Sequence, residues 1–92
     1  MSRYYVDVKE DAQADLKRLK DDEPKAYQKA LKLIDELYDH PRTGTGHPEQ
    51  LSGDRAGQWS RPITKKHRLV YEIHDTVVVV LVLTAYGHYD DK

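Results

Sequence analysis

Three short stretches hold side chains that could do chemistry. The first is Tyr86-Gly87-His88-Tyr89, near the C-terminal end of the chain. Histidine titrates near neutrality, so His88 can donate or accept a proton, and its aromatic neighbours can stack an unpaired base. A frayed tail is the ordinary alternative. The second is His67-Arg68-Leu69-Val70-Tyr71-Glu72-Ile73, which alternates as a strand does. Leu69, Tyr71 and Ile73 point one way, and Arg68, Val70 and Glu72 point the other. If helices cover the apolar face, Arg68 lies on the opposite one, beside whatever Trp59 and Arg61 present. The alternative is that Arg68 simply pairs with Glu72, two residues along on the same face. The third is Glu49, the only carboxylate between Asp39 and Asp54. It follows a glycine-containing loop and starts a strand, where a glutamate is ordinarily solvent decoration. The residues alone leave each of these alternatives open.

The elements that must position them are legible from periodicity. Tyr4 to Val8 reads as a strand. Lys9 to Lys20 reads as a helix with Ala12, Leu16 and Leu19 on one face. Asp21-Asp22-Glu23-Pro24 breaks it, and Pro24 suits the first turn of a second helix. Tyr27, Ala30, Leu31, Ile34, Leu37 and Tyr38 follow the helical spacing there, and Pro41 stops it. Arg42 to Pro48 is a loop by its glycines. Short strands are expected at Glu49–Leu51 and Gln58–Thr64, a stronger one at His67–Ile73, and a turn at His74-Asp75-Thr76. Val77 to Leu83 is apolar at every position and reads as a strand buried on both faces. A strand, two helices and then a meander give an α+β fold: two helices on one face of a mostly antiparallel twisted sheet. Ninety-two residues leave room for one domain, 1–92.

Composition excludes several classes. There is no cysteine, hence no disulfide framework and no thiolate chemistry. The longest apolar run is far short of the ~20 residues of a membrane span, and the first residues have no signal-peptide pattern; cytoplasmic residence is the expectation. The five histidines fall at no metal-ligand spacing, so neither metal nor cofactor is expected. A net charge of −1 does not by itself suggest a nucleic-acid binder. The distribution says more: residues 42–68 carry six basic and two acidic side chains, flanked by segments of net negative charge. That positive middle is a candidate phosphate footprint or a solvated basic face.

Four blocks in order, Gly46-His47-Pro48-Glu49-Gln50-Leu51, Gly57 to Thr64 with Trp59-Ser60-Arg61-Pro62, His67-Arg68-Leu69-Val70-Tyr71 and the terminal His88-Tyr89, resemble the YoeB (Txe) branch of the RelE-like toxins. The resemblance covers roughly the C-terminal half. It implies a toxin of a type II toxin–antitoxin system that cleaves mRNA in the ribosomal A site and is held inactive by a YefM-type antitoxin. It makes Glu49 the general base, Arg68 the cation on the phosphate, His88 the general acid and Tyr89 a residue that positions substrate. Arg61 matches a basic residue flanking the site. Such chemistry uses the RNA's own 2′-hydroxyl as nucleophile and requires no metal.

The departures concern RNA contacts. Pro62 stands where the family often has a second arginine, with Lys65 and Lys66 as replacements for the lost phosphate contact. Proline cannot donate to a sheet ladder, so Pro62 is expected at an edge or a bulge. Asp90-Asp91-Lys92 follow the tyrosine at which relatives often end. Relatives are often dimers, and operator DNA would be met only through the antitoxin complex. Two rivals stand beside this reading: a protein-binding toxin of the ParE type on a similar fold, and a non-catalytic partner of a repressor.

Overall fold

In a computed structural model, residues 3–44 and 47–87 are described. Strand β1 (Tyr5–Val8) leads into helix α1 (Glu10–Asp22) and helix α2 (Pro24–Leu37). A loop then reaches β2 (Glu49–Gln50), a single 3-10 turn at Gly53–Arg55, β3 (Gln58–Pro62), β4 (Arg68–His74) and β5 (Val79–Thr84). The sheet order is β1-β5-β4-β3-β2. β1 runs parallel to β5 and every other pairing is antiparallel. The expected α+β fold, with two helices on one face of a mostly antiparallel sheet, is the fold observed.

The helices start and stop where backbone chemistry requires it. Pro24 opens α2, where its missing N–H costs nothing. Its apolar stripe is rotated from the expected one: Ala26, Ala30, Leu33, Ile34 and Leu37 are buried, whereas Leu31 is exposed and Tyr27 only partly covered. Ala12 and Leu19 of α1 join them over Leu69, Tyr71, Val80 and Val82 of the sheet. This is the core, and it occupies one face of the sheet.

The last strand also departs from its expectation. Val77 and Val78 are exposed in the turn before β5. Val78 has a φ of 57°, unusual for a β-branched residue. Within β5, Val80 and Val82 are fully buried toward the helices, while Val79, Leu81 and Leu83 are half-covered on the other face. β5 is central, between β1 and β4, yet only one of its faces lies under the helices. Pro62 ends β3; β2 pairs only with Trp59 and Ser60, so no ladder bond is asked of the proline on that side.

Candidate active site

On the outer face of the sheet, away from the helices, alternation in β3 and β4 gathers Gln58, Ser60, Arg68 and Glu72 beside Val70, whereas β5 contributes the apolar Val79, Leu81 and Leu83. Ser60 sits between Glu49 of β2 and Val70 of β4 in the cross-strand register. Arg68 opens β4 on this same face, two residues before Val70. Its guanidinium Nη1 donates to Ser60 Oγ at 3.2 Å and lies 3.7 Å from Glu49 Oε1. The Ser60 hydroxyl is fully buried and so fixes the guanidinium from beneath. Glu49 is more exposed than Arg68, with 58% of its side chain accessible against 25%. An acceptor and a cation are thus paired at an open surface. Glu72 bonds Gln58 and His74 instead of Arg68, which removes the structural alternative for that arginine.

Arg61 is elsewhere. Alternation in β3 carries Trp59 and Arg61 to the helix side, and Arg61 is fully buried. Its Nε donates to the Tyr71 hydroxyl at 3.0 Å and its Nη1 to Glu36 Oε1 at 3.1 Å. Nη2 donates to the carbonyls of His40 and of Thr43, the latter at 2.7 Å. The Tyr71 hydroxyl in turn donates to the Pro41 carbonyl at 2.7 Å, and burial pushes the Tyr71 phenol above its ordinary pKa. The expectation that Arg61 lies beside Arg68 and flanks the site is therefore corrected: it is an internal cation that ties the 40–43 segment to the sheet. A buried guanidinium persists only when its donors are satisfied, and here they are met by a carboxylate, a phenol and two carbonyls.

The rest of the basic middle is divided. Arg42 pairs with Asp75 at 2.6 Å, in a network that Tyr4 completes by donating to the same carboxylate at 2.7 Å. Hydrogen bonding from Arg42 and Tyr4 holds the Asp75 carboxyl below its usual range, and the bond to Asp75 raises the pKa of the Arg42 guanidinium. Lys65 and Lys66 are exposed in the turn between β3 and β4, and Lys66 lies 3.4 Å from Glu23. Arg55 bonds Gln58 on the outer face at 3.1 Å.

His88 and Tyr89, with Asp90, Asp91 and Lys92, lie outside the described residues. The chain that leads to them is described as far as Gly87. Gly87 donates its N–H to His67 Nδ1 at 2.8 Å, and its carbonyl accepts the backbone N–H of Arg68 at 2.9 Å. The chain thus meets the Arg68 backbone one residue before His88. His67, Glu23 and Tyr86 make this junction. His67 is 2% exposed, its Nε2 lies 2.6 Å from Glu23 Oε2, and its ring sits 4.4 Å from that of Tyr86. The Arg18 guanidinium lies 3.9 Å from the Tyr86 ring centroid. The hydrogen bond from His67 holds the Glu23 carboxyl below its ordinary range.

Sequence reasoning missed Ser60 and His67. The phase of β3 could have found the first, since Ser60 shares the Arg68 face. Nothing local signals the second, because its partners Glu23 and Gly87 are both remote in the chain. Among the described residues, no group of three or more metal-ligating side chains converges, and no helix is long and apolar enough to cross a membrane.

The sequence and fold as a whole are similar to those of known toxins. Toxin YoeB of Mycobacterium bovis is 42% identical over 57 residues, which span 62% of this chain and 67% of the relative. The solved YoeB/ParE toxin from Agrobacterium tumefaciens superposes with a TM-score of 0.84 at 30% identity, covering 92% of this chain and 99% of that one. A Staphylococcus aureus YoeB, solved as a dimer and in complex with YefM, gives TM-scores of 0.79 and 0.77 at 27% identity over 96% of this chain and all of the relative. The model of the YoeB-like toxins of bacterial type II toxin–antitoxin systems matches residues 8–89, and the chain belongs to that family.

Proposed function

We propose that this toxin is a metal-independent endoribonuclease that cleaves mRNA in the ribosomal A site. The observation that carries the reading is the Glu49–Arg68 pair, 3.7 Å apart on the open face of the sheet, beside the backbone that leads to His88. Glu49 takes the proton from the 2′-hydroxyl next to the scissile phosphate. The oxygen so freed attacks phosphorus, and the bond to the 5′-oxygen breaks. His88 protonates that leaving oxygen, giving a 2′,3′-cyclic phosphate and a 5′-hydroxyl. Arg68 neutralises charge developing on the phosphoryl oxygens, with Ser60 holding its guanidinium in place. Tyr89 positions the substrate, and Lys65 and Lys66 add phosphate contacts from the β3–β4 turn. Arg61, enclosed among Glu36, Tyr71 and the 40–43 segment, has no part in this reading as an RNA contact.

The partners follow from the relatives. A YefM-like antitoxin is the expected inhibitor, by analogy with the Staphylococcus aureus complex. Homodimerisation is expected by analogy with the dimer of the same protein. Operator DNA is reached through the antitoxin complex, and the site of action is cytoplasmic. The test is cleavage of mRNA on programmed ribosomes, mapped by toe-printing, for wild type and Glu49→Ala, with EDTA present and the product ends characterised. Cleavage by wild type alone, leaving cyclic-phosphate ends, is the expected result. Intact mRNA with wild type would overturn the reading in favour of a protein-binding toxin.

A further inference from the structure

We propose that His67 is a positioning residue for this cleavage, acting as a clamp on Gly87 that sets where the chain delivers His88. The inference rests on the nuclease reading above. His67 and Arg68 are adjacent but point to opposite faces of the sheet: Arg68 to the outer face, His67 inward against Glu23, between the two helices, and Tyr86. Together they hold Gly87 from both sides. The His67 ring accepts the Gly87 N–H at 2.8 Å, and the Arg68 backbone N–H donates to the Gly87 carbonyl at 2.9 Å. One dipeptide thereby presents the cation and anchors the segment carrying the acid.

The clamp requires one form of the imidazole. A ring nitrogen that accepts an N–H carries no proton of its own, so Nδ1 is bare and the proton of the neutral ring lies on Nε2. Nε2 faces Glu23 Oε2 at 2.6 Å, and a carboxylate there selects this tautomer. Tyr86 closes one side of the ring at 4.4 Å, with the Arg18 guanidinium against Tyr86 in turn. The charged groups that bear on His67 are thus Glu23, at the α1–α2 junction, and Lys66, 3.4 Å from Glu23. Gly87 itself has a φ of +75°, a conformation that side chains disfavour. A buried imidazole committed to one backbone amide fits a demand for position. A small displacement of a reacting group is costly to rate.

Two conservative variants separate position from stability. Asparagine places an amide oxygen near the Nδ1 position, and glutamine places its amide near Nε2. His67→Asn keeps an acceptor for Gly87 and loses Glu23; His67→Gln keeps Glu23 and loses Gly87. Single-turnover cleavage by His67→Gln should fall by about 10² with substrate affinity within about threefold of wild type, while His67→Asn recovers most of the rate. Gly87 amide hydrogen exchange should accelerate in the glutamine variant and much less in the asparagine variant. Glu23→Ala, which reaches the clamp from a partly exposed position, should slow cleavage by releasing the tautomer, and it serves should either buried variant fail to fold. Equal rates in the two His67 variants, or losses that track the urea midpoint alone, would overturn the positioning role while leaving the nuclease reading standing. A wild-type chain that leaves RNA intact while its Gly87 amide exchanges slowly overturns the nuclease reading and the catalytic consequence of the clamp together.

Discussion

Arg61→Met tests whether the family's flanking arginine is a structural cation in this chain. Methionine keeps an apolar stem of similar length and deletes the guanidinium. Four groups then lose a donor: the Glu36 carboxylate, the Tyr71 hydroxyl, and the carbonyls of His40 and Thr43. Removing one partner of a buried ion pair costs about 3–5 kcal/mol. The Glu36 side chain is 28% exposed and can recover water, and Tyr71 keeps its bond to Pro41, which places the loss at the lower end, ~3 kcal/mol. Against a total stability of about 5–14 kcal/mol for a chain of this length, that is a large fraction. Urea unfolding followed by circular dichroism should show a midpoint lowered by about 1.5–2 M with an unchanged slope. Arg61→Lys should fall between, since it keeps the charge and loses the fork. RNA or ribosome affinity, measured at a temperature where each variant is folded, should match wild type. A fully stable Arg61→Met with weakened RNA binding would refute the reasoning and return Arg61 to the surface.

Other expectations follow from the same geometry. Arg68→Ala should lower single-turnover cleavage by about 10²–10³ while costing no more than about 1 kcal/mol in stability, because its pairing with Glu49 is partly exposed; cleavage within a few-fold of wild type removes it from the reaction. Glu23 and Asp75 both have lowered carboxyl pKa values, through His67 and Arg42 respectively. Their contribution is complete above the ordinary carboxylate range and is lost as pH falls through the lowered folded values, so thermal stability should decline below about pH 4. Asp75→Asn should flatten that decline, and a wild-type stability that holds constant there counts against both networks. Val78 occupies the left-handed region at a φ of 57° in the β4–β5 turn; Val78→Asn should raise stability by about 0.5–1 kcal/mol, read as a shift in urea midpoint, and a loss would show that the valine packs to advantage.

The sequence made the element order legible because periodicity is local. Pro24, Pro41 and the glycines marked the boundaries, and alternation in β4 correctly placed Arg68 opposite Leu69 and Tyr71. What failed was the phase of two elements. On α2 the helical spacing admits Leu31 and passes over Leu33, because a helix rich in apolar residues accepts more than one stripe; Leu33 is the one buried. In β3, Arg61 shares its phase with Trp59 and Ile63, which marks an inward face, but a charged residue reads as exposed unless its counter-charge is known. Glu36 lies 25 residues away in sequence and no local pattern announces the pair. Of the candidate site, Glu49 carried no chemical signal of its own; the resemblance singled it out. The register that sets Glu49 beside Ser60, and so near Arg68, is a property of strand pairing that composition does not encode.

The parallel pairing of β1 with β5 has a kinetic consequence. Tyr5 pairs with Val79 and Val8 with Val82, so the first strand finds its hydrogen-bonding neighbour only after nearly the whole chain has been made. Closing a flexible loop of that span costs about 4 kcal/mol of entropy before any ladder bond compensates for it. Docking of α1 and α2 buries Ala12, Leu19, Leu33 and Leu37 against Leu69, Tyr71, Val80 and Val82, which follow both helices in the chain. The β2–β5 meander, built from neighbouring strands, can assemble by short-range steps, whereas docking of β1 and the helices cannot. Folding should therefore be slow for a chain of this size and limited by that docking step. Mutations in the β1–β5 ladder should slow folding, and mutations at the β2 edge should mainly speed unfolding.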